Sequence, residues 1–583
     1  MCSGAAAVCC SAKLSVICYN YQIDMQEQLE QTIAETGKNV FGEEITVELT
    51  RPDESFGDYS TNIAMQLAGK LGKAPREIAE ELSGALRADL AEVVSEVTVA
   101  GPGFINIRLT DGAIVSMLDY DVSAVNRGRK VLLEYSCPNA FKQLHTGHLY
   151  QTIAGDSIGR LLEATGVEVF RANFGGDVGL HVAKSLYGII TALGEAGHYD
   201  QLNDVEPARR TQYLSTAYVA GAKAYEEDED AKQAIATING QVYGFHANND
   251  HESDLARIYW QCREWSYEYF KSFYESIAVE PFDKYYPESE TMEPGIAMVR
   301  ANTPGVFEES DGAIVFRGEK VGLFTNVFIT SKGLPAYGAK DLGVVKLEAG
   351  DFDYDQRVLM TGVSDTAYVK VVFAALQSIN PELAAKQVHH PNGTVKFGSG
   401  QKMSSRLGNV TSAVDVLKVV GDAVEAADDQ SKQNITLGAI KYSFLKQRLG
   451  GDIAFDLNES VRLEGNSGPY LQYAHARACS ILRKSENPVE TSLQDTILEA
   501  GERTMVRALG EYSLTITKSV KDLMPHHLCT YLYELSQTFN RFYENNRVMG
   551  DEREGLRLTL VKRYADTLAE GLQLLGIVAP EQM

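Results

Sequence analysis

An apolar run at Val131, Leu132 and Leu133 stops at Pro138, and a helix-spaced series, Leu149, Ile153, Ile158, Leu161 and Leu162, then continues until Gly166. That order predicts strand, loop and helix. A second β-prone run at 167–174 follows Gly166 directly, so the unit closes as βαβ and commits the chain to a parallel sheet. Its first loop lies at the carboxyl end of the first strand, where such sheets bind nucleotides.

That loop holds His145-Thr-Gly-His148. Gly147 admits a ligand close to the backbone, and the helix start is expected to turn free N–H groups toward it, a setting for phosphate. Imidazoles there can bond α-phosphate oxygens as they gain charge in an in-line displacement. Such chemistry rests on positioning and electrostatics and needs no covalent nucleophile. Two histidines three apart also suit zinc, but no cysteine or third histidine stands nearby to complete a site, so no metal is expected. A purely structural pair is the other alternative.

A chain of 583 residues should hold several domains. No apolar run approaches the roughly 20 residues of a membrane span. Cys137, Cys262, Cys479 and Cys529 are scattered singly, which points to a reducing cytoplasm. Residues 1–24 carry four more cysteines without the basic start of a signal peptide, and Met25 is an alternative first residue. A formal charge of −25 excludes a simple nucleic-acid coat and favours small-molecule or protein partners. Lys441, Lys446, Arg448, Arg462, Arg477, Arg483 and Lys484 nevertheless cluster in one C-terminal region, as a local RNA surface or a solvated face would.

Taken with Glu134-Tyr-Ser-Cys-Pro-Asn139, Lys142 and Asn173-Phe-Gly-Gly-Asp177-Val-Gly179, the His-x-Gly-His loop resembles the HIGH signature of class I aminoacyl-tRNA synthetases. The context is similar to arginyl-tRNA synthetases in particular, and the resemblance runs from 25 to 583. It implies an α/β fold: a Rossmann-like catalytic domain at 111–413 with an insertion at about 199–300, and a small N-terminal α/β domain at 25–110. A helical anticodon-binding bundle at 414–583 completes it, with 1–24 an extension of uncertain status. In that family the N-terminal domain touches the tRNA elbow; Phe56-Gly-Asp-Tyr59 and Ala100-Gly-Pro-Gly-Phe-Ile-Asn-Ile107 carry its likeness. The latter phrase also reads as a turn into an edge strand.

Farther along, 313–316, 324–329 and 358–360 are expected as strands returning to the sheet, and the acidic run 226–230 as solvated surface. Tyr337 and Asp341 lie four apart on one helical face, and an aromatic with a carboxylate suits a guanidinium. The resemblance makes them arginine contacts together with Glu134, Asn139 and His148, and places the family's glutamine contact at Asp365. The family's Gly-Asp-Trp-Gly-Thr-Gln reads Gly176-Asp-Val178-Gly-Leu180-His181. Gly398-Ser-Gly-Gln-Lys402-Met-Ser-Ser405 fails the P-loop pattern and looks like the KMSKS loop, with Ser405 replacing its second lysine. ATP would then meet His145, Gly147, His148, Lys402, Met403 and Ser404, with Lys142 compensating for the missing lysine.

From 414 strands are expected to disappear, and apolar periodicity predicts helices at 435–449, 470–482, 495–523, 528–547 and 556–575. The resemblance assigns tRNA contacts to Tyr470, Tyr473, Arg477, Asn545, Arg547 and Met583. The expected activity is ATP-dependent arginine activation and transfer to tRNA(Arg). Mg²⁺ would accompany ATP with no tightly bound cofactor, and a cytoplasmic monomer is expected. A small-molecule nucleotidylyltransferase or class I lysyl enzyme is the enzymatic rival, and an RNA-binding paralogue with a dead site the other.

Overall fold

The computed structural model describes residues 25–398, 412–486, 489, 493 and 496–583. The expectations for Lys402, Met403, Ser404, Ser405 and residues 1–24 lie outside them. The chain divides into two compact units, one within Met1–Val125 and the other comprising Asn126–Leu493 and Leu498–Met583.

In the first unit, Tyr59–Thr61 and Val94–Ala100 flank Phe104–Leu109 in an antiparallel sheet. Phe104–Leu109 is thus the central strand and not the edge expected from its glycine-rich approach. Ile105 and Ile107 are fully buried because each meets a partner on both sides, Val99 with Thr61 and Val97 with Tyr59. The amphipathic helix Pro75–Asp89 adds Ile78, Leu82 and Leu86 to this core.

The second unit is built on five parallel strands in the order Gln387–His389, Gln356–Leu359, Lys130–Glu134, Glu168–Gly175 and Lys284–Pro287. Lys130–Glu134 lies in the middle, and Val131, Leu132 and Leu133 are fully buried, as a strand covered on both faces must be. Only Gln356–Leu359 of the three expected returning strands joins this sheet. Ala313–Phe316 and Asn326–Ile329 instead form a separate antiparallel sheet with Glu308–Ser310. The reason is local: Asp311 and Gly312 adopt φ of 50° and 78°, the two-residue hairpin turn that pairs flanking strands at once.

Between Glu168–Gly175 and Lys284–Pro287 the chain inserts the helices Leu180–Leu193, Pro207–Glu227, Glu229–Ala247 and Asp254–Ser276. They close on their own core of Val182, Leu186, Ile189, Ile235, Val242 and Tyr259. The acidic run 226–230 is solvent-exposed, and its Asp228 caps Glu229–Ala247 by accepting from the N–H groups of Asp230 and Ala231.

Beyond the sheet come the helices Ala413–Ala423, Asp429–Leu445, Gly468–Lys484, Ala500–Gly510, Tyr512–Asp522, His526–Asn545 and Glu554–Leu574. The helix expected over 495–523 breaks at Glu511, and strands do not vanish at 414. Ile453–Phe455 pairs in parallel with Val395–Phe397, since Ile453 and Phe455 need an apolar face to cover them. Lys441, counted above among surface cations, is buried: its ammonium donates to the carbonyls of Ala278 and Gly576 at 2.9 and 2.7 Å. Burial pushes it down to about 8.

The helix Thr146–Ala164 joins these layers and buries thirteen of its residues. Gly155 lies so close to Tyr135 that a Cβ would meet the ring at 2.3 Å. Gly155→Ala should therefore destabilise the protein by about 1–3 kcal/mol despite the better helix propensity of alanine. Denaturant unfolding checks this, and unchanged stability would mean that the Tyr135 ring yields freely.

Candidate active site

The loop from Glu134 to Thr146 is strained and held from outside. Ser136, Cys137 and Phe141 adopt φ of 72°, 45° and 64°, left-handed values that cost non-glycine residues of order 1 kcal/mol or more each. Hydroxyls of the insertion offset this: the N–H of Phe141 donates to Ser266 at 2.9 Å and that of Gln143 to Ser215 at 3.2 Å. Pro138 and Ala140 bond the backbone of Gly176, and Asn139 sits so close that a Cβ on Gly176 would meet its Oδ1 at 2.2 Å.

His145 is the N-cap of Thr146–Ala164. Its Nδ1 accepts from the N–H groups of Gly147 and His148 at 3.0 and 3.3 Å, while His148 Nδ1 accepts from the N–H of His145 at 3.3 Å. The expected free N–H groups of Gly147 and His148 are thus already satisfied by imidazole. The anion donors at this helix end are instead the ring Nε2–H groups, because a neutral imidazole that accepts at Nδ1 carries its proton on Nε2. The rings stack at 3.7 Å between centroids. Burial, then the neighbouring His145 and Lys142, hold His148 at about 3, and burial with Lys142 lowers His145 as well. Lys142 sits over the Tyr218 ring at 3.9 Å. Ser412 and Ala413 lie beside the same loop, through a bridge to His145 and a 2.8 Å bond to the Leu144 carbonyl.

Glu134 and Asp341 line one small cavity with Arg357, Val345, Leu359, Val369, Val372 and Phe373. Arg357 is 2% exposed at its side chain. It donates to Glu134 through one terminal nitrogen, to Glu348 through Nε at 2.5 Å, and to Gln387 through the other terminal nitrogen at 3.2 Å. Among the described residues no cation meets Asp341 within hydrogen-bond range; it accepts from the Tyr368 hydroxyl. Burial raises it to about 7, with Glu134 and Glu288 adding and Tyr368 and Lys340 opposing. The nearby Lys340 is taken by Glu288 at 2.6 Å. Tyr337 heads the helix Tyr337–Asp351 and is 66% exposed.

Other expected residues are less concentrated. Asp365 is exposed, with its carboxylate bonded by Ser364 at 3.3 Å. Val178 is fully buried in the insertion core, so its departure from the family tryptophan alters packing there. His181 bonds the Gly176 carbonyl at 3.2 Å, and burial lowers it to about 4. Asp177 is internal, accepting from Ser289 and Arg263. Sequence reasoning missed Arg357, Tyr368 and Glu348; a lone charge at 357 inside an apolar strand was the available signal. Among the described residues no group of three His, Cys, Asp or Glu side chains could hold a metal ion, and no helix is long and apolar enough to cross a membrane.

In the C-terminal helices Asn540 joins Tyr470 to Arg477 through bonds of 2.9 and 3.5 Å, and Arg477 lies 5.2 Å from the Tyr543 ring. Tyr473 is exposed on the same helix as Tyr470. Asn545 and Arg547 are exposed at and just beyond the end of His526–Asn545, each bonded to a local carbonyl. Met583 is 48% exposed, while Pro580 and Glu581 before it are held by His475 and Arg483. Phe539 and Phe542 belong to the core.

Comparison with known proteins covers most of the chain. Residues 24–109 match the family model for the arginyl tRNA synthetase N terminal domain, 112–456 that for the catalytic domain of tRNA synthetases class I (R), and 471–583 that for the DALR anticodon binding domain. An arginine–tRNA ligase of Fusobacterium nucleatum is 30% identical, covering 92% of this chain and 94% of its own. One of Thermobifida fusca is 29% identical over 96% of this chain and 100% of its own. The solved arginyl-tRNA synthetase of Thermus thermophilus superposes with a TM-score of 0.77 at 26% identity, over 96% of this chain and 100% of that one. With the class I model over more than half of its length and a 30% identical relative along nearly all of it, the chain belongs to the arginyl-tRNA synthetase family.

Proposed function

We propose that the cavity between Glu134 and Asp341 receives the guanidinium of free arginine, that His145 and His148 meet the α-phosphate of ATP, and that the C-terminal helices hold tRNA. The reaction is that of an arginine–tRNA ligase. Arginine's carboxylate attacks the α-phosphorus of ATP, pyrophosphate leaves, and the arginyl group passes to the 3′-terminal ribose of tRNA(Arg), releasing AMP. The observation that carries the substrate assignment is a buried carboxylate that no cation of the described residues meets. Glu134, Glu348, Glu288 and Asp177 each meet an Arg or Lys, whereas Asp341 accepts, among the described residues, from a tyrosine hydroxyl. A bound guanidinium supplies that charge, with the Tyr337 ring as a flat neighbour.

The two Nε2–H donors act on the transition state. They are neutral and fixed by the helix they cap, so they strengthen their bonds as charge grows on the phosphate without reorganising. Lys142 adds positive charge beside them. Lys402, Met403 and Ser404 complete the ATP contacts in this reading, and ATP enters as its Mg²⁺ complex. Gly147 lets the nucleotide approach, while Asn139 and, farther out, Asp365 border the amino acid. The domain division is 25–110 for the tRNA elbow, 111–413 for catalysis and 414–583 for the anticodon. The unpaired Cys137, Cys262, Cys479 and Cys529 support a reducing, cytoplasmic setting.

His148→Ala should lower pyrophosphate exchange, measured with tRNA present, by roughly 10²- to 10³-fold. A near wild-type rate in the folded variant would remove the imidazoles from the chemistry.

Asp341→Asn should raise the arginine KM by the equivalent of about 2–5 kcal/mol while the ATP KM hardly moves. Only the ionised carboxylate attracts a guanidinium, and burial raises Asp341 to about 7. The wild-type arginine KM should therefore fall as pH rises from about 6 to about 8 and that slope should flatten in the variant. Equal shifts in both KM values would place the amino acid elsewhere.

Arg477→Ala should weaken tRNA binding and reduce the slope of log affinity against log salt by about one. Binding titrations at several salt concentrations decide it; an unchanged slope would make Arg477 a packing partner of Tyr543.

A further inference from the structure

The substrate cavity already contains a guanidinium of the protein's own, and its placement gives it a task in the reaction. Arg357 on Gln356–Leu359 reaches Glu134 on the neighbouring strand and Glu348 on the helix Tyr337–Asp351, the helix that also carries Asp341. Its three bonds go to three different side chains, one from each of its nitrogens. The bond to Glu134 is made at Oε2. The hydrogen-bond donor at Glu134 Oε1 is the weak Cys137 thiol, 3.8 Å away. Arg357 thus holds one oxygen of Glu134, and no guanidinium of the described residues holds the other.

The remaining charges explain why one cation serves two carboxylates. Glu134 and Glu348 are 2% and 0% exposed at their side chains. Glu348 Oε1 is buried with no donor from Arg357, and the Glu348 carboxyl lies against that of Glu134. Burial and the neighbouring Glu134 push Glu348 well above the usual carboxylate range, against the pull of Arg357, so a proton held there and the guanidinium together balance the pair and leave Asp341 as the cavity carboxylate without a cation among the described residues. The cavity is thus electrostatically incomplete while Arg357 is in place, and a second guanidinium completes it.

We propose, on the reading that this cavity binds arginine, that Arg357 is a positioning residue for the substrate: with Glu348 behind it, it holds Glu134 by Oε2 and aims Oε1 at the incoming guanidinium. It touches neither ATP nor the reacting atoms, so its loss acts on arginine binding. A ligand with a single ammonium cannot engage both Oε1 of Glu134 and Asp341 as a planar fork does, which ties Arg357 to discrimination against lysine.

Removing Arg357 alone leaves two buried carboxylates unpaired and endangers folding, whereas removing Glu348 with it leaves only Glu134, one buried acid in place of two. The test is therefore arginine KM, ATP KM and kcat for Arg357→Met/Glu348→Met, with Arg357→Lys as the conservative variant and Asp341→Asn as the control. The double variant is expected to raise the arginine KM at least about tenfold. Its ATP KM and kcat at saturating arginine should stay within about twofold, and Arg357→Lys should lie between it and the wild type. If Asp341→Asn raises the arginine KM and the double variant does not, the inference fails and the pocket stands. A lower arginine KM in the double variant would show that Arg357 competes with the substrate, which also overturns it. Joint loss of kcat and of both affinities would reduce Arg357 to a structural prop. If Asp341→Asn leaves the arginine KM unchanged as well, the pocket itself is misassigned.

Discussion

The helix Thr146–Ala164 is the constraint on which the rest depends, because its middle, from Leu149 to Gly159, is buried without a break. At its start it is capped by the histidines it presents, so their ring positions are those of the helix itself. Along its length Tyr150 meets Phe444 edge to face at 5.6 Å, and Ser157 donates to the carbonyl of Leu574 at 3.0 Å. A helix with both sheet and C-terminal helices against it cannot tilt without opening close-packed contacts on either side. The imidazoles inherit that rigidity, which a loop alone could not supply.

The buried charges follow a second rule. Carboxylates taken from water here are met by a cation or several donors where the fold supplies them, as Asp177 is by Arg263 and Ser289 and Glu288 is by Lys340. Unpaired burial costs several kcal/mol or forces a proton onto the group. Burial raises Asp341 to about 7, and it lies in the cavity where Arg357 bridges Glu134 and Glu348. The proposed preference for a guanidinium rests on that one arrangement of buried charge.

Much of this was legible in the residues. The βαβ unit follows from an apolar run, Pro138 and helical periodicity, because strand and helix periods differ and a parallel crossover needs both. Family likeness across separated segments pointed to Glu134, Asn139, Tyr337 and Asp341, of which the structure brings Glu134 and Asp341 together on one cavity. Errors gathered where a residue's partner lies far along the chain. Phe104–Leu109 reads as an edge until its second neighbour is known, and Ala313–Phe316 reads as a sheet strand until the Asp311-Gly312 turn folds it onto its own neighbours. Lys441 reads as a surface cation because nothing near it in sequence announces the Ala278 and Gly576 carbonyls that bury it.

The sequence by itself determined the class of fold, the helix-start histidines and the family, since these depend on local periodicity and on residues fixed in short segments. Only the tertiary structure decided that His145 and His148 satisfy the backbone N–H groups of the helix start themselves through Nδ1. It alone placed Arg357, 223 residues beyond Glu134, against that carboxylate and left Asp341 with no cation bonded to it among the described residues. Charge balance in a buried site is a sum over groups brought together by strand pairing and helix packing, and no window of sequence contains that sum.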